Sequence, residues 1–318
     1  MAQIARRDFL KTGALAGAGS MLGTRALSAT LCPQPLASST QPPALSIAHY
    51  KTSPSEPEGI AEEAQRLTRQ AVEGLGGMNH FVSKGNVVWV KPDIGWDRRP
   101  EQAATTNPDV VATLVEMCFQ AGAKKVLVSD NPCNPARLAF PRSGIQQAAE
   151  KAGAEVLFLD ERKFRKMSLN GKVLKEWEVY QDVVEADRLI NVPIAKNHNL
   201  CLATLGMKNL MGILGGARNR LHQDLGGTLV DLAAFLKPRL VVLDAIRVLT
   251  ANGPVGGNLA DVKRQDTVVA GVDQVAVDAV GATLLGYKPA SIVYIAQGSA
   301  RGLGAIDFKA LSPKQIEL

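Results

Sequence analysis

Aromatic side chains are scarce in this 318-residue chain, at 5% of its residues. That leaves little material for the successive stacking surfaces on which proteins hold single-stranded nucleic acid. Cysteine is scarce as well. Cys32, Cys118, Cys133 and Cys201 include no C-x-x-C pair, so zinc-ribbon and ferredoxin-type spacings are absent and no iron–sulfur cluster is expected. No apolar run is long enough for a stable membrane span. The Walker lysine and the dinucleotide-binding glycine fingerprint are missing too. Excess charge is small. The formal net charge is +6, and residues 1–29 hold half of it, with Arg6, Arg7, Lys11 and Arg25 against Asp8. The +3 left for the rest of the chain is no footprint for nucleic acid.

What is present points to a globular protein with a real core, at 46% hydrophobic and 21% charged residues. The length suits one large α/β domain or two lobes. Ala5-Arg6-Arg7-Asp8-Phe9-Leu10-Lys11 resembles a twin-arginine export motif, followed by a short, glycine-rich apolar run to Gly23. We expect a signal peptide over residues 1–29, a Pro/Ser/Thr-rich linker over 30–44 and an α/β domain over 45–318. The twin-arginine export machinery is then a partner, and the mature protein is periplasmic or otherwise exported. That route generally carries proteins already folded, often with a cofactor inserted.

Short apolar runs alternate with helical patterns through the rest. Asn86–Val90, Lys125–Asp130, Val156–Asp160, Leu189–His198, Leu240–Ile246 and Thr267–Gly271 read as strands. Helices are expected between them, one opening at Asn107-Pro108 and one capped by Asp273. Asn170-Gly171 reads as the tight turn of a hairpin. The fold class expected is α/β: a mostly parallel, doubly wound sheet with helices on both faces and a small β-hairpin insertion.

The chemistry concentrates between Leu189 and Gly212. An apolar strand delivers Lys196, Asn197 and His198, and Lys208 and Asn209 follow. In open α/β sheets ligands bind beyond the carboxyl ends of strands. Lys91, Asp130 and Asp244 lie at other strand ends, and Arg218, Arg220, His222 and Asn252 in loops. Such donors suit a carboxylate or phosphate. Lys91, Asn197, Asn209, Arg218, Arg220 and Asn252 are the expected substrate-binding residues. Lys196 and Lys208 would hold the charge, and His198 or His222 would give or take a proton. A divalent metal held by His198, His222, Asp130 and Asp244 competes with this reading. Structural roles compete as well: Asp244 could only cap backbone amides, and Lys208 could snorkel to the surface.

At these residues the chain resembles the domain of unknown function 362 family, in its exported branch. The matching stretches are Val90-Lys91-Pro92, Thr106-Asn107-Pro108, Ile190 to His198, Leu205 to Gly212, His222, Asp244, Asn252-Gly253-Pro254 with Gly256, and Asp273 to Asp278 followed by Gly286. Ile194 and Asn197 stand where the family more often has Lys and Thr, and Asp93 where it more often has Asn. The resemblance implies an α/β fold and no settled activity. Some relatives carry iron–sulfur cysteine motifs, which this chain lacks. Three function classes follow from the residues. The first is an exported enzyme acting on an anionic small molecule by acid–base or metal-assisted chemistry. The second is a periplasmic carrier of an anion or metal. The third is a redox protein using a cofactor or Cys133 with Cys201. A role on nucleic acid and a stable membrane span fit poorly.

Overall fold

Alternate residues of the central strands face two separate apolar layers, and this arranges the molecule. In a computed structural model, which describes residues 43–51 and 60–318, Val88 and Val90 pack into one core and Trp89 into the other. Side chains alternate across a strand, so a strand covered on both faces reads as a continuous apolar run. Each such buried aliphatic side chain contributes about 1.5–3 kcal/mol relative to exposure. All described residues fall in one unit. The expected signal peptide, most of the expected linker and Cys32 lie outside them. No helix among the described residues is long and apolar enough to cross a membrane.

The strands are β1 (Leu45–His49), β2 (Val87–Pro92), β3 (Lys125–Val128), β4 (Glu155–Val156), β5 (Phe164–Ser168), β6 (Glu176–Tyr180), β7 (Arg188–Val192), β8 (Ile194–His198), β9 (Leu202–Thr204), β10 (Leu240–Leu249), β11 (Val262–Gly271) and β12 (Lys314–Glu317). The helices are α1 (Ile60–Glu73), α2 (Pro108–Gln120), α3 (Ala136–Arg142), α4 (Ile145–Lys151), α5 (Gln181–Glu185), α6 (Gly206–Asn209), α7 (Leu225–Leu236), α8 (Gln274–Leu284) and α9 (Val293–Ala300). The main sheet runs β12-β1-β11-β10-β7-β2-β3-β4, with β8 and β9 attached through β10. Its neighbours are mostly parallel, and β11 runs antiparallel to both β1 and β10. Helices α1, α2, α3 and α4 cover one face, and α7, α8 and α9 the other. The doubly wound α/β architecture expected from the sequence is therefore the one observed.

Several local expectations need correction. The run from Leu189 to His198 is two strands, because Pro193 interrupts it. Proline cannot donate to a sheet ladder. After the break β8 pairs with β10 and β9, so Lys196 and His198 reach past the end of β7. The expected strand over 156–160 shrinks to Glu155–Val156, and Phe158 is solvent-exposed. The hairpin is real, but its turn is wider than Asn170-Gly171. β5 and β6 pair from Phe164–Tyr180 to Ser168–Glu176. The loop between them is organised by the Asp231 carboxylate, which accepts from the amides of Lys172, Val173 and Leu174.

Candidate functional site

The carboxyl ends of β2, β3 and β8 open into a cavity of about 460 Å³. It is lined by Lys91, Asp93, Asp130, Lys196, His198, Lys208, Arg218 and His222 among others. Strand ends meet here as the crevice rule requires.

Two buried ion pairs form its floor. Lys91 Nζ donates to Asp130 Oδ1 at 2.8 Å, and Lys196 Nζ donates to Asp93 Oδ2 at 2.9 Å. Lys91 also donates to Asn209 Oδ1 at 2.6 Å and to the Pro92 carbonyl at 2.9 Å. An ammonium has three donors, so Lys91 has none left for a ligand. Asn209 is equally committed, since its amide donates to the Lys91 carbonyl and to Asn191 Oδ1. Both were expected to bind substrate directly; both instead build the floor. Lys196 donates to the Ala104 carbonyl at 2.6 Å as well as to Asp93, which leaves one donor. Asp130 accepts from the amides of Ile94 and Asn131. Burial raises the Asp130 carboxyl, against the pull of Lys91. Burial pushes Asp93 in the same direction, but Lys196 and Lys91 together hold it below the ordinary carboxylate range.

Lys208 differs from these two lysines. It lies on α6, a single turn whose first amides, Gly206 and Met207, donate to Asp278 at 2.6 and 3.0 Å. Among the described residues no hydrogen bond or ion pair engages its ammonium. Burial lowers its affinity for a proton. A desolvated cation without an acceptor is costly, and an incoming anion relieves that cost. Arg218 also lacks a carboxylate partner among the described residues. It donates to the carbonyls of Asn131 at 2.7 Å and Pro132 at 3.1 Å. That fixes the guanidinium and leaves three of its five donors.

His198 and His222 stack with ring centroids 6.5 Å apart. Their outer hydrogen bonds assign opposite tautomers to the neutral rings. The Leu200 amide donates to His198 Nδ1 at 3.1 Å, so the His198 proton resides on Nε2. His222 Nδ1 faces the Asn219 carbonyl at 3.2 Å, so that nitrogen carries the proton and Nε2 keeps a lone pair. Burial, followed by repulsion from Lys208, Lys196 and His222, pushes His198 down to about 3. Burial and Lys208 lower His222 as well. At neutral pH one ring offers a proton and its neighbour an acceptor.

Other expected site residues lie elsewhere. Asp244 sits in the middle of β10, where its carboxylate accepts from the amides of Asn107 and Ile246. It steadies the start of α2 and does not line the cavity, and burial pushes it up to about 6. Asn197 holds the next loop instead, accepting from the Gly253 amide and donating to the Tyr287 hydroxyl. Arg220 and Asn252 are exposed and outside the lining. The expected metal set of His198, His222, Asp130 and Asp244 is not gathered around one point. Among the described residues no group of three or more His, Cys, Asp or Glu is placed to hold a metal ion. Cys133 lines the cavity, while Cys201 is buried, and both are free thiols, so they form no disulfide. Burial raises Cys201 to about 11, which keeps it from being a thiolate at neutral pH.

The sequence reading did not select Asp93, Asn131, Trp96 or Gly212, all of which line the cavity. Asp93 follows the end of β2 directly, and that position was the available signal. Gly212 carries no side chain to notice; its importance lies in the space it leaves beside Asp130 and Lys91.

The sequence profile of the domain of unknown function (DUF362) family matches residues 88–283. The thylakoid-associated protein sll1697 of Synechocystis sp. is 28% identical over 243 residues, which cover 74% of each chain. Among solved structures, the lactate racemase apoprotein of Thermoanaerobacterium thermosaccharolyticum aligns with a TM-score of 0.45 at 14% identity, over 75% of this chain. A protein from Thermotoga maritima aligns at 0.34 with 10% identity, over 76% of this chain. The chain spans 56% and 59% of those two proteins.

Proposed function

We propose that this chain, which belongs to the domain of unknown function 362 family, binds an anionic small molecule in the cavity at its strand ends and moves a proton on it with His198 and His222. The observation that carries the reading is the Lys208 ammonium, which lines the cavity without an acceptor among the described residues, while Lys91 and Lys196 are paired. Arg218 supplies a second, directional donor set suited to an oxyanion. Lys196 retains one donor at the floor. Neutral His198 would polarise the bound anion through a hydrogen bond from Nε2–H, and His222 would take a proton on Nε2.

The test is a thermal-shift and calorimetric screen of carboxylates and phosphates at low ionic strength, on wild type and Lys208→Met. Anion-dependent stabilisation of wild type that is lost in the variant supports the reading. Equal responses of the two proteins, or none at all, overturn it. Proton transfer is tested on whichever anion binds, by following deuterium uptake from heavy water into the ligand. His198→Gln and His222→Gln should retain binding and lose exchange. A wild type that binds and exchanges nothing is a carrier. Export through the twin-arginine pathway is the location we propose from Arg6 and Arg7. Retention of an Arg6→Lys, Arg7→Lys double variant inside the cell tests it.

A further inference from the structure

We infer that the anion taken by this cavity is a dianion on an apolar body, with an organic phosphate monoester as the best-fitting class. This rests on the anion-binding reading above. The first argument is charge. Asp93 and Asp130 are the acidic residues of the lining, and each is closed by its own lysine. Lys208 and Arg218 remain as two cations without a carboxylate among the described residues. Both histidines are disposed to be neutral, so they add donors or acceptors rather than charge. A monoanion would leave one of these two half-buried cations unmatched, whereas a dianion balances both.

The second argument is grouping. Arg218 and His222 share one stretch of 3-10 helix, Arg218–Asp224, and His222 stacks on His198. Lys208 is near enough to act electrostatically on both imidazoles. Lys208, Arg218 and both histidines thus line the same cavity as one connected group, and we take them to serve one head rather than two separated ends. This favours a compact phosphate, with three acceptor oxygens, over a dicarboxylate with its charges apart.

The third argument is space. A cavity of about 460 Å³ falls in the range of roughly 300–1,000 Å³ that holds whole organic ligands, well beyond a bare oxyanion. Trp96, Leu200, Met211, Pro254 and Val255 supply apolar lining for the remainder.

Calorimetry at pH 7.5 with phenyl phosphate, inorganic phosphate, phthalate and benzoate tests this. Phenyl phosphate should bind about tenfold or more tightly than benzoate, which lacks a charge-assisted contact worth about that factor, and than inorganic phosphate, which lacks an apolar group whose burial is worth at least as much. Its affinity should fall as pH drops below about 6, where the monoester dianion is protonated to the monoanion, while that of benzoate should not. Lys208→Met and Arg218→Gln should each reduce the preference for phenyl phosphate over benzoate, and two variants guard against one that fails to fold. Equal binding of benzoate and phenyl phosphate overturns the dianion and leaves the anion reading standing. Equal binding of inorganic phosphate overturns the apolar body. Tighter binding of phthalate overturns the compact head. No binding of any probe overturns both proposals.

Discussion

Gly212 faces the Asp130 carboxylate so closely that an added β-carbon would overlap Asp130 Oδ1 and come within 2.6 Å of Lys91 Nζ. The clash would involve a buried pair whose other sides are already occupied. Asp130 accepts two backbone amides, and Lys91 donates to Asn209 and to the Pro92 carbonyl. Overpacking of a filled interior typically costs about 1–3 kcal/mol, and displacing a buried charge from its partner costs more. Gly212→Ala should therefore lower stability by at least about 2 kcal/mol in urea unfolding. A variant within 0.5 kcal/mol of wild type, the usual range for neutral surface changes, would show that the pair has room to move.

Lys196 and Asp93 give a second test of the floor. Removing one member of a buried pair leaves an uncompensated charge, at a cost of about 3–5 kcal/mol. Lys196→Met and Asp93→Asn should each be destabilised on that scale. The double variant should be more stable than the sum of the two losses, by a coupling of about 1–3 kcal/mol. Strict additivity in denaturant titrations would mean that the 2.9 Å contact carries no energy.

The sheet was legible because buried parallel strands advertise themselves. Val87–Val90, Lys125–Val128 and Leu240–Ile246 are apolar runs that end in polar residues, and their flanking helices have caps that work as read. Asn107 accepts from the Asp109 amide, and Asp273 accepts from the Ala276 amide. Elements without such patterns were missed. β12 is Lys-Gln-Ile-Glu at a sheet edge, and α3 contains Pro141. The region of the site was legible for the same reason, because strand ends predict a crevice. Which side chains stay free was not legible. That depends on partners far apart in sequence: Lys91 is closed by Asp130 and Asn209, while Lys208, only one position before Asn209, is closed by nothing among the described residues. Asp244 looked like one more strand-end acid, yet its strand runs on to Leu249 and its carboxylate was already taken by amides.

His198 makes a spectroscopic prediction. With a folded-state value of about 3 against 6.5 for the free group, it should remain neutral, protonated on Nε2, from pH 8 down to pH 5. Nitrogen-15 imidazole shifts report this directly. Between pH 3 and 6.5 the unfolded chain binds a proton that folded His198 does not. The group therefore contributes a stability that rises with pH across that window and is lost on acidification. His198→Gln should flatten this part of the profile. Titration near 6.5 in the folded protein would remove the assignment of a fixed tautomer.

Asp278 should produce the opposite slope. It is fully buried, and burial raises it to about 7 despite the amides of Gly206 and Met207. Those amides begin the turn that carries Lys208, and Gly206 is required there because a β-carbon would meet Asp278 Oδ1 at 2.7 Å. The folded-state value lies above the ordinary aspartate value of 3.8, so between about pH 4 and 7 the folded chain holds a proton that the unfolded chain has released. The contribution of Asp278 is fully present below about pH 4 and is lost as pH rises through about 7. Asp278→Asn keeps the shape and removes the titration. Thermal midpoints measured from pH 4 to 8 should fall less steeply in Asp278→Asn than in wild type between about pH 4 and 7, and the two profiles should run parallel above that. If Asp278 positions Lys208, the variant should also bind the anion of Lys208 more weakly, because the Gly206 and Met207 amides donate to different carboxylate oxygens and asparagine replaces one of them with an NH2 donor. Parallel pH profiles with unchanged anion affinity would reduce Asp278 to a packing residue.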